Sequence, residues 1–172
     1  SSATNSVKVK EIPKPNFDFT NACEGTAIRL VDGSTLPAGT TTYSWDFGDN
    51  NTGMGATTSH LYAQPGIYPV RYTVDVNGCA ATTTKYVTQA PRSVPNFTNT
   101  ALQCDNKNVA FTNTTTAPAF GSAGYEWKLG DSTVVNSVNV SHTYNSFKVY
   151  NVVLVSRTDL GCADSITKSI TL

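Results

Sequence analysis

The feature that most constrains this chain is that it spells one plan twice. Tyr43-Ser44-Trp45-Asp46-Phe47-Gly48-Asp49 returns as Tyr125-Glu126-Trp127-Lys128-Leu129-Gly130-Asp131, with position 45 moving to 127, an offset of 82. In both copies Tyr, Trp and Phe or Leu alternate with polar residues, the period-2 pattern of a half-buried strand. The Gly-Asp pair stops each strand, because Gly takes φ > 0 without strain and Asp hydrogen-bonds its own turn backbone. One copy would constrain little. Two copies in register with their surroundings require the same fold twice, in domains of about 80 residues. The division is a lead-in segment 1–12, a first domain 13–90 and a second domain 91–172. Val7-Lys8-Val9 running into Pro13 matches Val87 running into Pro91 and Pro95, so the lead-in reads as the last strand of a preceding repeat, and the chain as a piece of a longer array.

Charged residues make up 14% of the chain, and 12 basic side chains balance 12 acidic ones. No Lys/Arg cluster marks a phosphate-binding face, so nucleic acid is not an expected partner. No apolar run is long enough to span a bilayer, so membrane insertion is not expected. Thr, Asn, Ser, Val and Tyr prevail and amphipathic helical stretches are missing, which is an all-β composition. Cysteines stand at Cys23, Cys79, Cys104 and Cys162. The repeat aligns Cys23 with Cys104 and Cys79 with Cys162, so each domain owns one equivalent pair. The expected bridges are Cys23–Cys79 and Cys104–Cys162, each worth about 4 kcal/mol in the chain-entropy account, and with them an oxidising, extracellular location. Four unpaired thiols are the alternative.

Along the chain, Phe17-Asp18-Phe19, the stretch 26–31, the Trp45 segment and the stretch 57–62 read as strands. In the longest alternation Tyr68, Val70, Tyr72, Val74 and Val76 share one face, and Asn77-Gly78 then makes a two-residue hairpin. Lys85 and Lys168 fall at equivalent, inward positions of the last strands, where a strand edge or bulge would accommodate them. Seven short strands per repeat, with turns every eight to twelve residues, predict two tandem immunoglobulin-like antiparallel β-sandwiches. Trp45 and Trp127 are then core residues, and Tyr68 and Tyr150 corner tyrosines whose hydroxyls bond back to a loop. The short segment 89–94, bracketed by Pro91 and Pro95, reads as a semi-rigid spacer.

Trp45-Asp46-Phe47-Gly48-Asp49, His60-x-Tyr62 and Pro65-Gly66-x-Tyr68-x-Val70 resemble the PKD (polycystic kidney disease) domain. Trp127-x-x-Gly130-Asp131, His142-x-Tyr144 and Tyr150-x-Val152 are a second, degenerate match without the Asp-Phe and Pro-Gly pairs. The version with Gly78-Cys79 and Gly161-Cys162 is similar to repeats of large surface proteins of gliding Bacteroidota. That resemblance implies a rigid tandem-repeat spacer of a secreted cell-surface adhesin, exported by type IX secretion, whose partners are neighbouring repeats and an unidentified surface protein or glycan.

Chemistry is sparse. The two histidines, His60 and His142, are repeat equivalents, and a side chain duplicated with its scaffold is expected to be structural, hydrogen-bonded to backbone near the Trp strand. No Ser or Cys has a base at motif spacing, and no carboxylate pair suggests a glycosidase, so no catalysis is expected. No cofactor is expected either. Calcium held by Asn16, Asp18, Asp46 and Asp49 is the minor alternative to ordinary turn chemistry. A binding accessory of a secreted hydrolase is the competing function, with Phe120, Tyr125 and Phe147 as candidate contacts for polysaccharide or protein.

Overall fold

Alternating residues in short runs, each closed by a turn-forming residue, produce a chain with no helix among the described residues, which are 11–100 and 107–172 of a computed structural model. The chain divides into two units, 1–89 and 90–172. In the first, the strands are β1 (Phe17–Phe19), β2 (Ala22–Cys23), β3 (Ile28–Asp32), β4 (Thr41–Asp46), β5 (Thr52–Met54), β6 (Thr57–His60), β7 (Gly66–Val76) and β8 (Cys79–Ala90). They form two sheets, β1-β3-β6 and β2-β8-β7-β4-β5. The two-residue β2 makes eight strands where the sequence predicts seven.

The second unit contains β9 (Phe97–Asn99), β10 (Asn108–Asn113), β11 (Ala123–Lys128), β12 (Val134–Val135), β13 (Val140–Thr143), β14 (Val149–Thr158) and β15 (Ala163–Thr171). Its sheets are β9-β10-β13 and β12-β11-β14-β15, with antiparallel pairing throughout. Of the expected lead-in strand, residues 6–12, the part 6–10 lies outside the described residues. Residues 11–13 are not in a strand, and the first ladder contact is the bridge Lys14↔Thr35, repeated as Val94↔Thr116.

Each unit buries one core between its two sheets. In the first, Phe17, Ile28 and Leu30 from one sheet meet Trp45, Val70, Tyr72, Val74 and Val87 from the other. Phe17 stands edge-on to Trp45 with centroids 5.2 Å apart, and Trp45 stacks on Tyr72 at 3.8 Å. In the second, Phe97 packs edge-on to Trp127 at 5.2 Å, and Leu154 takes the place of Tyr72. Such ring pairs contribute about 0.5–1.5 kcal/mol beyond the area they bury. Both indoles find a backbone acceptor ten residues on: Trp45 Nε1 donates to Gly55 O (2.8 Å) and Trp127 Nε1 to Ser137 O (3.1 Å). The buried N–H is thereby satisfied in each copy.

The β7–β8 hairpin closes with both central residues in the left-handed region, Asn77 at φ 53° and Gly78 at φ 83°, the type I′ geometry that Asn-Gly favours. This hairpin corrects the expected bridge Cys23–Cys79. Cys79 carries a free thiol and pairs with Val76 at the start of β8. Cys23 is disulfide-bonded, yet its carbonyl accepts a bond from Gln89 Nε2 (2.6 Å), near the far end of the same strand. Ten residues of strand separate the two sites by about 33 Å, whereas a disulfide requires Cα atoms within about 7 Å. Cys162 is also disulfide-bonded. Cys104 lies outside the described residues.

Candidate functional site

The motif at the end of β4 builds a closed turn. Gly48 sits at φ 78°, and a Cβ there would lie 2.6 Å from Pro69 O. Only glycine meets both conditions. Gly130 repeats this at φ 85°, with the carbonyl of Asn151 2.8 Å away. Asp46 Oδ1 accepts the Gly48 amide (3.0 Å), and Asp49 Oδ1 accepts the Asn51 amide (3.1 Å).

His60 reaches this turn from β6, on the opposite sheet. Its Nε2 lies 2.7 Å from Asp49 Oδ2, and both side chains are largely buried, at 14% and 18% exposure. Since a carboxylate only accepts, Nε2 carries the proton. Burial works to raise the pKa of Asp49, but the bonds from His60 and Asn51 outweigh it and hold the carboxyl below its ordinary value. The imidazole stacks on Phe47 (4.2 Å) and stands edge-on to Tyr62 (4.6 Å). Tyr62 donates to Phe47 O (2.9 Å) and stacks on Tyr68, whose hydroxyl donates to Gln64 O (2.8 Å). Burial, and then the charge of Asp49, push the Tyr62 hydroxyl above the usual tyrosine pKa, so it remains a donor.

The second unit repeats the His–Asp and tyrosine bonds, but Lys128 stands where Asp46 accepts the Gly48 amide, so that bond has no counterpart. His142 Nε2 is 2.7 Å from Asp131 Oδ2, Tyr144 donates to Leu129 O (2.9 Å), and Tyr150 donates to Ser146 O (2.9 Å). The Asp131 carboxyl is lowered by the bonds from His142 and Thr133, again against burial. Leu129 replaces Phe47, so the ring stack under the imidazole is lost while the hydrogen bonds stay. The expectation of a backbone partner for His60 and His142 is thus corrected. The partner is a carboxylate, because the turn carrying Asp49 closes over the end of the facing sheet and presents Oδ2 where a carbonyl would otherwise be needed.

For Lys85 and Lys168 the structure shows no bulge: they pair with Val70 and Val152 in unbroken ladders, and Lys168 lies on β15, the edge strand of its sheet. Lys85 Nζ donates to Phe17 O across the core, 5.1 Å over the Phe17 ring. Lys168 does the same with Phe97 O and the Phe97 ring, at 5.0 Å.

The four calcium candidates separate into two local settings. Asn16 and Asp18 lie beside Gly33, while Asp46 and Asp49 are engaged in the turn after β4. Among the described residues no three His, Cys, Asp or Glu side chains gather as a metal site.

Of the three aromatic candidates, Tyr125 lines a groove. This groove, about 530 Å³, runs along Ala123, Gly124, Tyr125, Glu126, Asn136, Ser137, Val138 and Arg157. Phe147 is half-exposed elsewhere, under the ammonium of Lys107 at 4.8 Å, and Phe120 is partly buried. Sequence reasoning missed Glu126, Val138 and Arg157. Position 126 answers to Ser44 of the first repeat, so a loss of symmetry at an outward position was the available signal.

The turn, the His–Asp pair and the corner tyrosine thus recur in both units, and the PKD domain family model matches residues 10–90 and again residues 88–172. The chain belongs to the PKD domain family. Among solved structures, it is similar to the PKD1 domain of Vibrio anguillarum Epp, with 21% identity over 49% of this chain and 96% of that one, at a TM-score of 0.44. The PKD1 domain of the Vibrio cholerae metalloprotease PrtV is also similar, at 21% identity over 46% and 95%, with a TM-score of 0.42. The fibronectin(III)-like modules of Clostridium thermocellum CbhA share 14% identity over 91% and 92%, at a TM-score of 0.47. No match to a curated protein is found. Among the described residues no helix is long and apolar enough to cross a membrane.

Proposed function

We propose that the two PKD modules are a non-catalytic, extracellular spacer pair of a cell-surface adhesin. The observation that supports this best is that the reactive-looking side chains outside the cysteines have the same structural job in both copies. His60 and His142 each close a turn through a carboxylate, Tyr62 and Tyr144 each cap a backbone carbonyl, and Lys85 and Lys168 each cap the first strand of their module. A catalytic group has no reason to be copied with its scaffold. Disulfide bonds at Cys23 and Cys162 fit an oxidising compartment outside the cell.

The test is a swap in the parent surface protein. Exchanging residues 11–172 for two unrelated sandwich modules of equal length is expected to leave attachment intact, and loss of attachment refutes the spacer reading. A second reading rests on the Tyr125 groove, where an aromatic face, Glu126 and Arg157 would suit a glycan or a polar peptide. Retention of the chain on cellulose, chitin or collagen, abolished by Tyr125→Ala, would favour it over the first.

A further inference from the structure

Cys79 and Cys162 occupy one position in the fold. Each stands where a hairpin gives way to the last strand of its module: Cys79 opens β8 opposite Val76, and Cys162, the residue before β15, accepts the Thr158 amide at its carbonyl (2.7 Å). Cys162 Sγ lies 3.9 Å from the carbonyl of Ala90, the first residue of its unit, so this position marks the leading end of a module. Cys23 sits at the other end, beside Gln89, where β8 leaves the first unit. Cys162 is bonded and Cys23 is bonded, yet Cys79, the one other cysteine of the first unit, is a free thiol that is partly exposed. A module of this kind therefore carries one cysteine at each end, too far apart to join each other. Both kinds of position are used for bridging in this chain.

We propose that Cys79 is a cross-linking thiol, which forms a disulfide with the Cys23-type cysteine of another PKD module. The step joins two thiols and expels two hydrogens. Cys79–SH and the partner Cys–SH lose two protons and two electrons to a disulfide oxidant, which is reduced to two thiols while one S–S bond forms. The inference goes beyond the spacer reading and does not depend on it.

The test mixes the wild-type chain with its C79S/C162S variant, whose Cys23 and repeat counterpart Cys104 are the remaining cysteines. The reaction is run in a buffer of oxidised and reduced glutathione, and bridges are mapped by mass spectrometry of non-reduced peptides. The expected product is an interchain bridge from wild-type Cys79 to Cys23 or Cys104 of the variant, several-fold in excess of any other interchain pair. Cys79 capped by glutathione alone, Cys79–Cys79 dimers or a statistical mixture would overturn the proposal. A second measurement does not require the double variant to fold. The single variant C79S is expected to keep the melting temperature of the first module within about 2 °C, as fits a thiol whose partner lies outside its own module. A large drop would make Cys79 a packing residue and overturn the proposal.

Discussion

Breaking the His60–Asp49 pair tests whether the duplicated histidines are scaffold. Asp49→Ala removes the acceptor of a 2.7 Å bond whose two side chains are 14% and 18% exposed. Fully exposed ion pairs are worth about 0.2–1 kcal/mol, and a hydrogen bond to a charged group about 1.5–3 kcal/mol. Burial on this scale places the His60–Asp49 coupling toward the second range, at about 2 kcal/mol. For a module of about 80 residues each kcal/mol moves the midpoint by about 4–8 °C, so the first thermal transition should fall by about 8–16 °C. The assay is calorimetry of wild type, D49A, H60A and the double variant at pH 7, closed as a double-mutant cycle. The pH dependence adds a sign. The bonds from His60 and Asn51 hold the folded-state pKa of Asp49 below its ordinary carboxylate value, so its contribution is complete above that ordinary value and is lost as pH falls through the folded one. The gap between wild type and D49A should therefore be full at neutral pH and narrow below about pH 4. A coupling below about 0.5 kcal/mol, or a gap that widens in acid, refutes the reasoning.

Gly48→Ala should cost about 2–4 kcal/mol, from its left-handed φ and its overlap with Pro69 O, while Gly78→Ala, with nothing within 4 Å, should cost about 1 kcal/mol. Urea titration separates these two outcomes, and equal losses would exclude the close approach as a cause. Lys85→Met keeps the aliphatic stem but leaves Phe17 O without its donor, and should lose about 1.5–3 kcal/mol by chemical denaturation. A neutral or stabilising result would mean that desolvating the ammonium already cancels its bond. Trp127→Phe removes the donor to Ser137 O and should lower the second transition by about 1–3 kcal/mol while leaving the first in place. A shift of both transitions would contradict separate cores.

Features local to one strand or one turn were legible in the sequence. The alternation from Tyr68 to Val76 gave the buried face of β7, and Asn77-Gly78 gave a two-residue hairpin turn, because period and turn chemistry act within a few residues. Trp45 and Trp127 were legible as core for the same reason, helped by the repeat. Features that depend on which strand end faces which were not. Pairing Cys23 with Cys79 treated a module as a ring, but its two cysteines lie at opposite ends of β8, a fact of topology that spacing does not carry. His60 finds Asp49 eleven residues earlier and across the two sheets, so neither alternation nor motif order announces the contact. Lys85 reads as an error within an apolar face until the carbonyl of Phe17 above it is known.

That contact has a mechanical consequence. Lys85 lies on the last strand of its module and Phe17 on the first, in different sheets, and Lys168 and Phe97 stand in the same relation. When a pull is applied through a module's two termini, β1 and β8 receive the load before anything between them. The ammonium clasp joins those two strands directly, so it has to yield early for the termini to part. One side chain per module would then add to the resistance that the β1–β3 and β7–β8 ladders offer, and a methionine at that position should lower the rupture force of its own module while sparing its neighbour.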